Sequence, residues 1–157
     1  MTTKVKPIPD GYHTMTPYLI TKGGAKAIEF YKKAFGATEL MRMPGPEGKV
    51  MHAELQIGNS RFMMADECPE MQARSPLDLG GSPVSLLLYV EDADSFFTRA
   101  ISAGAKEVKP LKDQFYGDRC GSLSDPFGHI WHVATHVEDV PPAELQKRAA
   151  AMCQGQK

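Results

Sequence analysis

Cysteine is scarce and unpatterned in this chain: Cys68, Cys120 and Cys153 are odd in number and show no CxxC spacing. Neither a disulfide framework nor a zinc knuckle is implied. Long apolar runs are missing as well. No stretch of about 20 apolar residues exists to span a bilayer, and the opening MTTKVKPIPDG lacks the apolar segment of a signal peptide. Cytoplasmic residence is the resulting expectation. There is also no excess of charge of one sign. Eighteen basic against 19 acidic residues leave a net charge of −1, a field too weak to recruit nucleic acid or an anionic membrane. That balance favours small neutral or weakly charged partners. At 157 residues, 42% of them hydrophobic and 24% charged, the chain is long enough for one good core.

What the chain does have is a duplication. An apolar strand, an amphipathic helix and a Gly-Ala stop occur at Tyr18–Ala37 and again at Leu86–Ala105. The offset of about 68 residues exceeds the roughly 20 to 50 of solenoid and propeller repeats, and points to two modules of one domain. In the first copy Tyr18-Leu19-Ile20 passes through Gly23-Gly24 into AKAIEFYKKAF. In the second, Ser85–Val90 passes into EDADSFFTRAISA. Ala27, Ile28, Tyr31, Ala34 and Phe35 fall at helical spacing, as do Ala93, Phe96, Phe97, Ala100 and Ile101, so each helix should bury one face. Asp92 and Asp94 suit the start of the second helix. Gly36 and Gly104 stand where a left-handed residue closes a helix.

Strand and turn patterns follow each helix. Thr38–Met43, Lys49–Ile57 and Arg61–Ala65 in the first half correspond to Lys106–Leu111, Arg119–Leu123 and His129–His136 in the second. Each half therefore reads strand, helix, strand, strand, strand. The expected organisation is a single domain over 1–140, with modules at about 13–66 and 83–138. Between them lies a Pro-, Gly- and acid-rich connector at 66–83, a linker or a mobile flap. A C-terminal helix and polar tail, opened by Pro141-Pro142, fill 141–157.

The paired modules, AIEFYKKAFGA in the first and YGDRCGSLSDPFGHIWHVATH in the second, resemble the glyoxalase/bleomycin-resistance superfamily, also called vicinal oxygen chelate proteins, and most of all its PhnB-like branch. The resemblance runs from about Met15 to Val140. It implies an α+β fold in which two βαβββ modules form a cupped mixed sheet, with helices on the convex face and a ligand cavity inside. It also implies a homodimer. Two functional classes follow from it. One is a metal-free module that binds a small organic ligand. The alternative is a metal-dependent enzyme of the lyase, dioxygenase or thiol-transferase type, acting on a small oxygenated substrate. A methyltransferase, the label some PhnB-like sequences carry, is not supported, because no glycine-rich nucleotide loop is present.

In metal-using members of that superfamily, one ligand comes from the first strand of each module and another from a late strand. The resemblance carries the first-strand positions onto Thr16 and Ser85 and the late-strand positions onto Glu54 and His132. Hydroxyls are poor ligands for zinc or nickel, and a catalytic divalent site usually needs three protein ligands. A divalent metal is therefore not the favoured cofactor. His52, two residues before Glu54 on the same strand face, would complete a trio with Glu54 and His132. The competing reading is that Glu54 and His132 hydrogen-bond each other and act as acid and base. By strand parity Thr16, Tyr18 and Ile20, and Ser85, Leu87 and Tyr89, face the cavity. Arg119 either offers its fork to an anionic ligand or pairs with Asp118. Trp131 reads as core, the methionines Met41, Met43, Met51, Met63 and Met64 as adaptable fillers, and Phe115 and Tyr116 as lid candidates.

Overall fold

The computed structural model describes residues 4–155; the ends of the expected domain and tail, 1–3 and 156–157, lie outside it. The chain divides into two compact units. One comprises the residues up to Ser82 with Pro126–Gly128, the other Pro83–Asp125 with the residues from His129 onward. Among the described residues, no helix is long and apolar enough to cross a membrane.

In the first unit, strand β1 (Tyr18–Thr21) leads to helix α1 (Gly24–Phe35), then to β2 (Thr38–Pro44), β3 (Val50–Ile57) and β4 (Ser60–Asp66). They form a mixed sheet in the order β1-β4-β3-β2, with β1 parallel to β4 and the other pairs antiparallel. A short helix, α2 (Pro76–Leu79), follows within the connector. The second unit repeats the plan with β5 (Ser85–Tyr89), α3 (Ala93–Ala103), β6 (Lys106–Asp113), β7 (Asp118–Ser124) and β8 (Ile130–His136), ordered β5-β8-β7-β6. Helix α4 (Pro142–Gln154) closes the chain, opened by the proline pair as expected. The α+β architecture of two βαβββ modules is the one the duplication predicts.

The helices end where the sequence says, on Gly36 (φ 65) and Gly104 (φ 122). Helix α1 buries all five expected apolar residues and Phe30 besides. Phe127, in the turn that belongs to this unit, sits 6.1 Å from the Phe30 ring and 6.2 Å from Tyr31. Helix α3 buries a narrower stripe, Ala93, Phe97 and Ala100. Phe96 is half-buried and Ile101 exposed, because only the 93, 97 and 100 positions share the turn facing its sheet. The connector carries structure that its composition did not reveal. Cys68 bridges Ala73, and the fully buried Ser75 caps α2 and hydrogen-bonds Glu67.

The start of each helix is tied to the last strand of its own sheet. Gly23 provides no side-chain cap, so the first N–H groups of α1 need acceptors from elsewhere. The Asp66 carboxylate supplies them. Its Oδ1 accepts from Gly23 N (2.9 Å) and Gly24 N (2.8 Å), and its Oδ2 accepts from Val50 N (2.7 Å). A Cβ on Gly24 would lie 2.8 Å from Asp66 Oδ2, which explains the glycine there. In the second module Thr135 Oγ1 accepts from Ala93 N (2.9 Å) and donates to Val90 O (2.8 Å). Asp92 adds the N-cap expected of it, accepting from Ser95 N.

Replacing Asp66 by Ala strands three backbone donors and should cost about 3 kcal/mol, by the usual worth of hydrogen bonds to a charged acceptor. Urea unfolding at unchanged m reads this as a lower midpoint. A loss below about 0.5 kcal/mol, the range of ordinary surface substitutions, would show that the carboxylate does not organise this corner.

Candidate functional site

In the first unit the strand period divides β3 into two faces. Ala53, Leu55 and Ile57 are buried, while His52, Glu54 and Gln56 lie half-buried on the opposite side. On that side Glu54 stands opposite Met63, and Gln56 opposite Arg61, across the β3–β4 ladder. Tyr18 of β1 joins the row. Its hydroxyl and His52 Nδ1 are 2.8 Å apart, and His52 Nε2 is 3.5 Å from Glu54 Oε1. His52 is thus a tethered member of the row, not a loose exposed side chain.

The segment before β1 lies along this face and borders an open cavity of about 550 Å³, within the size range of small-molecule sites. Thr16 and Glu54 line it together with Ile8, Tyr12, Arg61 and Met63, whereas Tyr18 and His52 are not among its lining residues. Arg61 holds the segment in place. It donates to Asp10 O (2.9 Å) and to Gln56 Oε1 (3.2 Å), and its guanidinium lies 5.1 Å from the centre of the Tyr12 ring. Gly11 (φ 82) permits this approach, since a Cβ there would run into the guanidinium.

The Tyr12 hydroxyl is buried without a hydrogen bond of good geometry. Its pKa is pushed up to about 12, first by burial and then by the neighbouring Glu54 carboxylate. No contact between the two meets the distance and angle of a formed hydrogen bond, yet the carboxylate is near enough to act on the phenol's acidity. Tyr12 is therefore a neutral donor at physiological pH. It and Arg61 escaped the sequence analysis because their partners lie far along the chain.

In the second unit Ser85, Leu87 and Tyr89 are the exposed alternate residues of β5 and so share one face of the strand. The β7–β8 ladder sets Ser122 opposite His132 and Asp118 opposite His136. Both ring nitrogens of His132 are engaged inside its own sheet, Nδ1 with Ser122 Oγ (2.7 Å) and Nε2 with Ser85 Oγ (2.9 Å). Serine hydroxyls thus take the place expected for Glu54 as the partner of His132. Farther along, the nearly buried Asp118 accepts from Tyr89 Oη (2.7 Å) and pairs with His136 Nδ1 (2.8 Å); His136 Nε2 pairs with Asp139 (2.7 Å). Asp139 foremost, and Asp118, raise the His136 pKa, and the hydrogen bond to Asp118 raises that of Tyr89.

Arg119 lies on the other side of β7, where its fork closes on Asp94 of α3 (2.6 and 2.7 Å) and reaches Asp113 (3.2 Å). Its ion pairs are with these two residues, not with Asp118. Trp131 is core, 2% exposed, and its indole donates to Asp125 (2.9 Å). Phe115 and Tyr116 form an edge-to-face pair beside the β6–β7 turn. Arg148 of α4 donates to Phe115 O.

The four positions that would carry a metal by resemblance supply two hydroxyls, one carboxylate and one imidazole whose nitrogens are both hydrogen-bonded. Among the described residues, no three His, Cys, Asp or Glu side chains gather into a group able to hold a metal ion. This donor set does not fit a divalent metal.

The family model of the Glyoxalase/Bleomycin resistance protein/Dioxygenase superfamily matches residues 12–133, and the chain belongs to that superfamily. It is 45% identical over 144 residues to the uncharacterized protein Rv0887c of Mycobacterium tuberculosis, spanning 90% of this chain and 84% of that one. Among solved structures, the Arabidopsis thaliana gene product At5g48480 aligns with a TM-score of 0.64 at 29% identity, over 78% of this chain and 98% of that one. The PhnB protein of Bacillus cereus aligns with a TM-score of 0.58 at 19% identity, over 78% of this chain and 99% of that one. At that identity the likeness is one of fold.

The Tyr12 shift can be checked by pH titration of phenolate absorbance, taking the difference between the native chain and Tyr12→Phe. The Tyr12 component should appear near pH 12 and move downward in Glu54→Gln, which removes the charge but not the burial. Because the folded pKa is raised, the stability that the neutral phenol contributes is complete below pH 10 and is lost as pH rises through 12. A Tyr12 midpoint at the model-compound value of 10 would place the hydroxyl in open water.

Proposed function

We propose that this chain is a cytoplasmic, metal-free binding protein of the PhnB-like kind. It works as a homodimer and holds a small organic molecule in the cavity of its first module. The observation that carries this reading is the 550 Å³ cavity, in which apolar walls from Ile8 and Met63 surround Tyr12, Thr16 and Glu54. Such a mixture suits a ligand with an apolar body, one acceptor for the Tyr12 hydroxyl and one donor for the Glu54 carboxylate. Tyr18 and His52 steady the carboxylate from the side. Ser85, Tyr89 and His132, on the corresponding strands of the second module, form a further polar face available to a ligand. The engaged fork of Arg119 argues against a role for it in anion binding.

Native mass spectrometry of the untagged chain, run beside the denatured mass, tests the reading. A dimer that retains an organic adduct and carries no metal is the expected result, and Glu54→Ala should lose the adduct while remaining a folded dimer. One divalent ion per chain would overturn the metal-free reading in favour of the metal-dependent enzyme. Unchanged adduct in a Glu54→Ala, His132→Ala double variant would overturn the site.

A further inference from the structure

We propose that Ser85 is an activated nucleophile and that the open face of the second module's sheet transfers acyl groups from small carboxylic esters. Ser85 Oγ lies 2.9 Å from His132 Nε2, and His132 Nδ1 lies 2.7 Å from Ser122 Oγ. A hydroxyl, a base within hydrogen-bond reach of it and a third group that orients the base are the arrangement that makes a serine nucleophilic. Ser122 is 3% exposed. Its buried hydroxyl fixes the ring plane, and in the tautomer the proposal uses, with the proton on Nδ1, Ser122 Oγ accepts from Nδ1–H and the Nε2 lone pair is left to Ser85.

The surroundings fit an ester. Ser85 is exposed, so an acyl carbon can reach its oxygen. Leu87 and Tyr89, 46% and 64% exposed on the same face, offer apolar surface to the alkyl group. Donors for the developing oxyanion come from the strand itself. β5 ends its sheet, and Val90 N–H points to Ala134 O of β8 at 2.8 Å. Alternation therefore turns the Ser85 and Leu87 N–H groups to the opposite edge, outside the ladder.

The reaction closes on itself. Ser85 Oγ bonds to the ester carbon while its proton passes to His132 Nε2. The carbon–alkoxy bond then breaks, and the Nε2 proton leaves with the alcohol. Water next attacks the acyl-serine and gives a proton to Nε2. Release of the acid returns that proton to Ser85. A neutral hydroxyl in third place stabilises the imidazolium less than a carboxylate would, so turnover should be slow relative to a serine hydrolase.

Diisopropyl fluorophosphate tests the nucleophile directly. Attack by Ser85 forms an O–P bond, breaks the P–F bond and expels fluoride. Intact mass and peptide mapping of the full chain should show one diisopropylphosphoryl group, on Ser85. His132→Gln should slow labelling by at least about 100-fold, the usual worth of a general base. Ser122→Ala should slow it by roughly 10-fold, as loss of an orienting group does. The Ser85→Cys variant should be alkylated by iodoacetamide at a rate that falls when His132 is also replaced. An unlabelled Ser85 in the native chain would overturn the proposal, as would labelling or alkylation indifferent to His132. Because the probe reports on the second module alone, a negative result here leaves the cavity reading of the first module standing.

Discussion

Each module depends on one hydrogen-bond constraint: the first turn of its helix takes its acceptor from the far end of its own sheet. Asp66 ends β4 and receives Gly24 N; Thr135, near the end of β8, receives Ala93 N. In both cases the acceptor residue stands on the strand parallel to the one that feeds the helix. A helix start must satisfy its unpaired N–H groups, and here it does so only when the last strand is in register. The local cap and the sheet register are therefore one condition, met twice with different chemistry. The first module uses a carboxylate that holds three donors; the second uses a hydroxyl, helped by Asp92.

With register fixed, side-chain parity follows, and parity distributes the chemistry. The helix-facing side receives Leu55, Met64, Trp131 and Val133, all at most 2% exposed. The other side receives His52, Glu54 and Gln56 in one module and Ser122, His132 and Asp118 in the other. A slip of one residue would exchange the two sets, burying a row of polar groups beneath a helix at several kcal/mol each. The polar rows are thus as firmly placed as the core, although they contribute less to stability.

What could be read from the sequence was what depends on short spacing. The helices, their glycine stops, the inward Trp131, and the shared face of His52 and Glu54 all rest on intervals of one to four residues. What could not be read depends on partners far apart. Asp66 meets Gly24 across 42 residues, Arg119 meets Asp94 across 25, and Arg61 reaches Asp10 across 51. Arg119 shows the consequence. Its neighbour Asp118 looked like its partner, but adjacent strand residues point to opposite faces, so the arginine met the helix and the aspartate met Tyr89 and His136. Ser122 could have been found, since antiparallel pairing through the Asp125–Gly128 turn sets it opposite His132.

His132 decides which chemistry the second module can perform. A metal-binding imidazole offers one nitrogen to the ion and donates from the other to an outer partner. His132 has such an outer partner in Ser122, but its remaining nitrogen faces a hydroxyl that has a proton to give. The resemblance-derived ligand position next to it is also a serine, Ser85, so two residues that would share a cation elsewhere hydrogen-bond each other here. At these fold positions the chain carries a serine and a histidine that hydrogen-bond each other, with the second histidine nitrogen held by Ser122, and it is on this pair that the proposed proton transfer rests. Function in this architecture is set by which groups stand on the open face of the sheet, while the helices and the register keep that face in place.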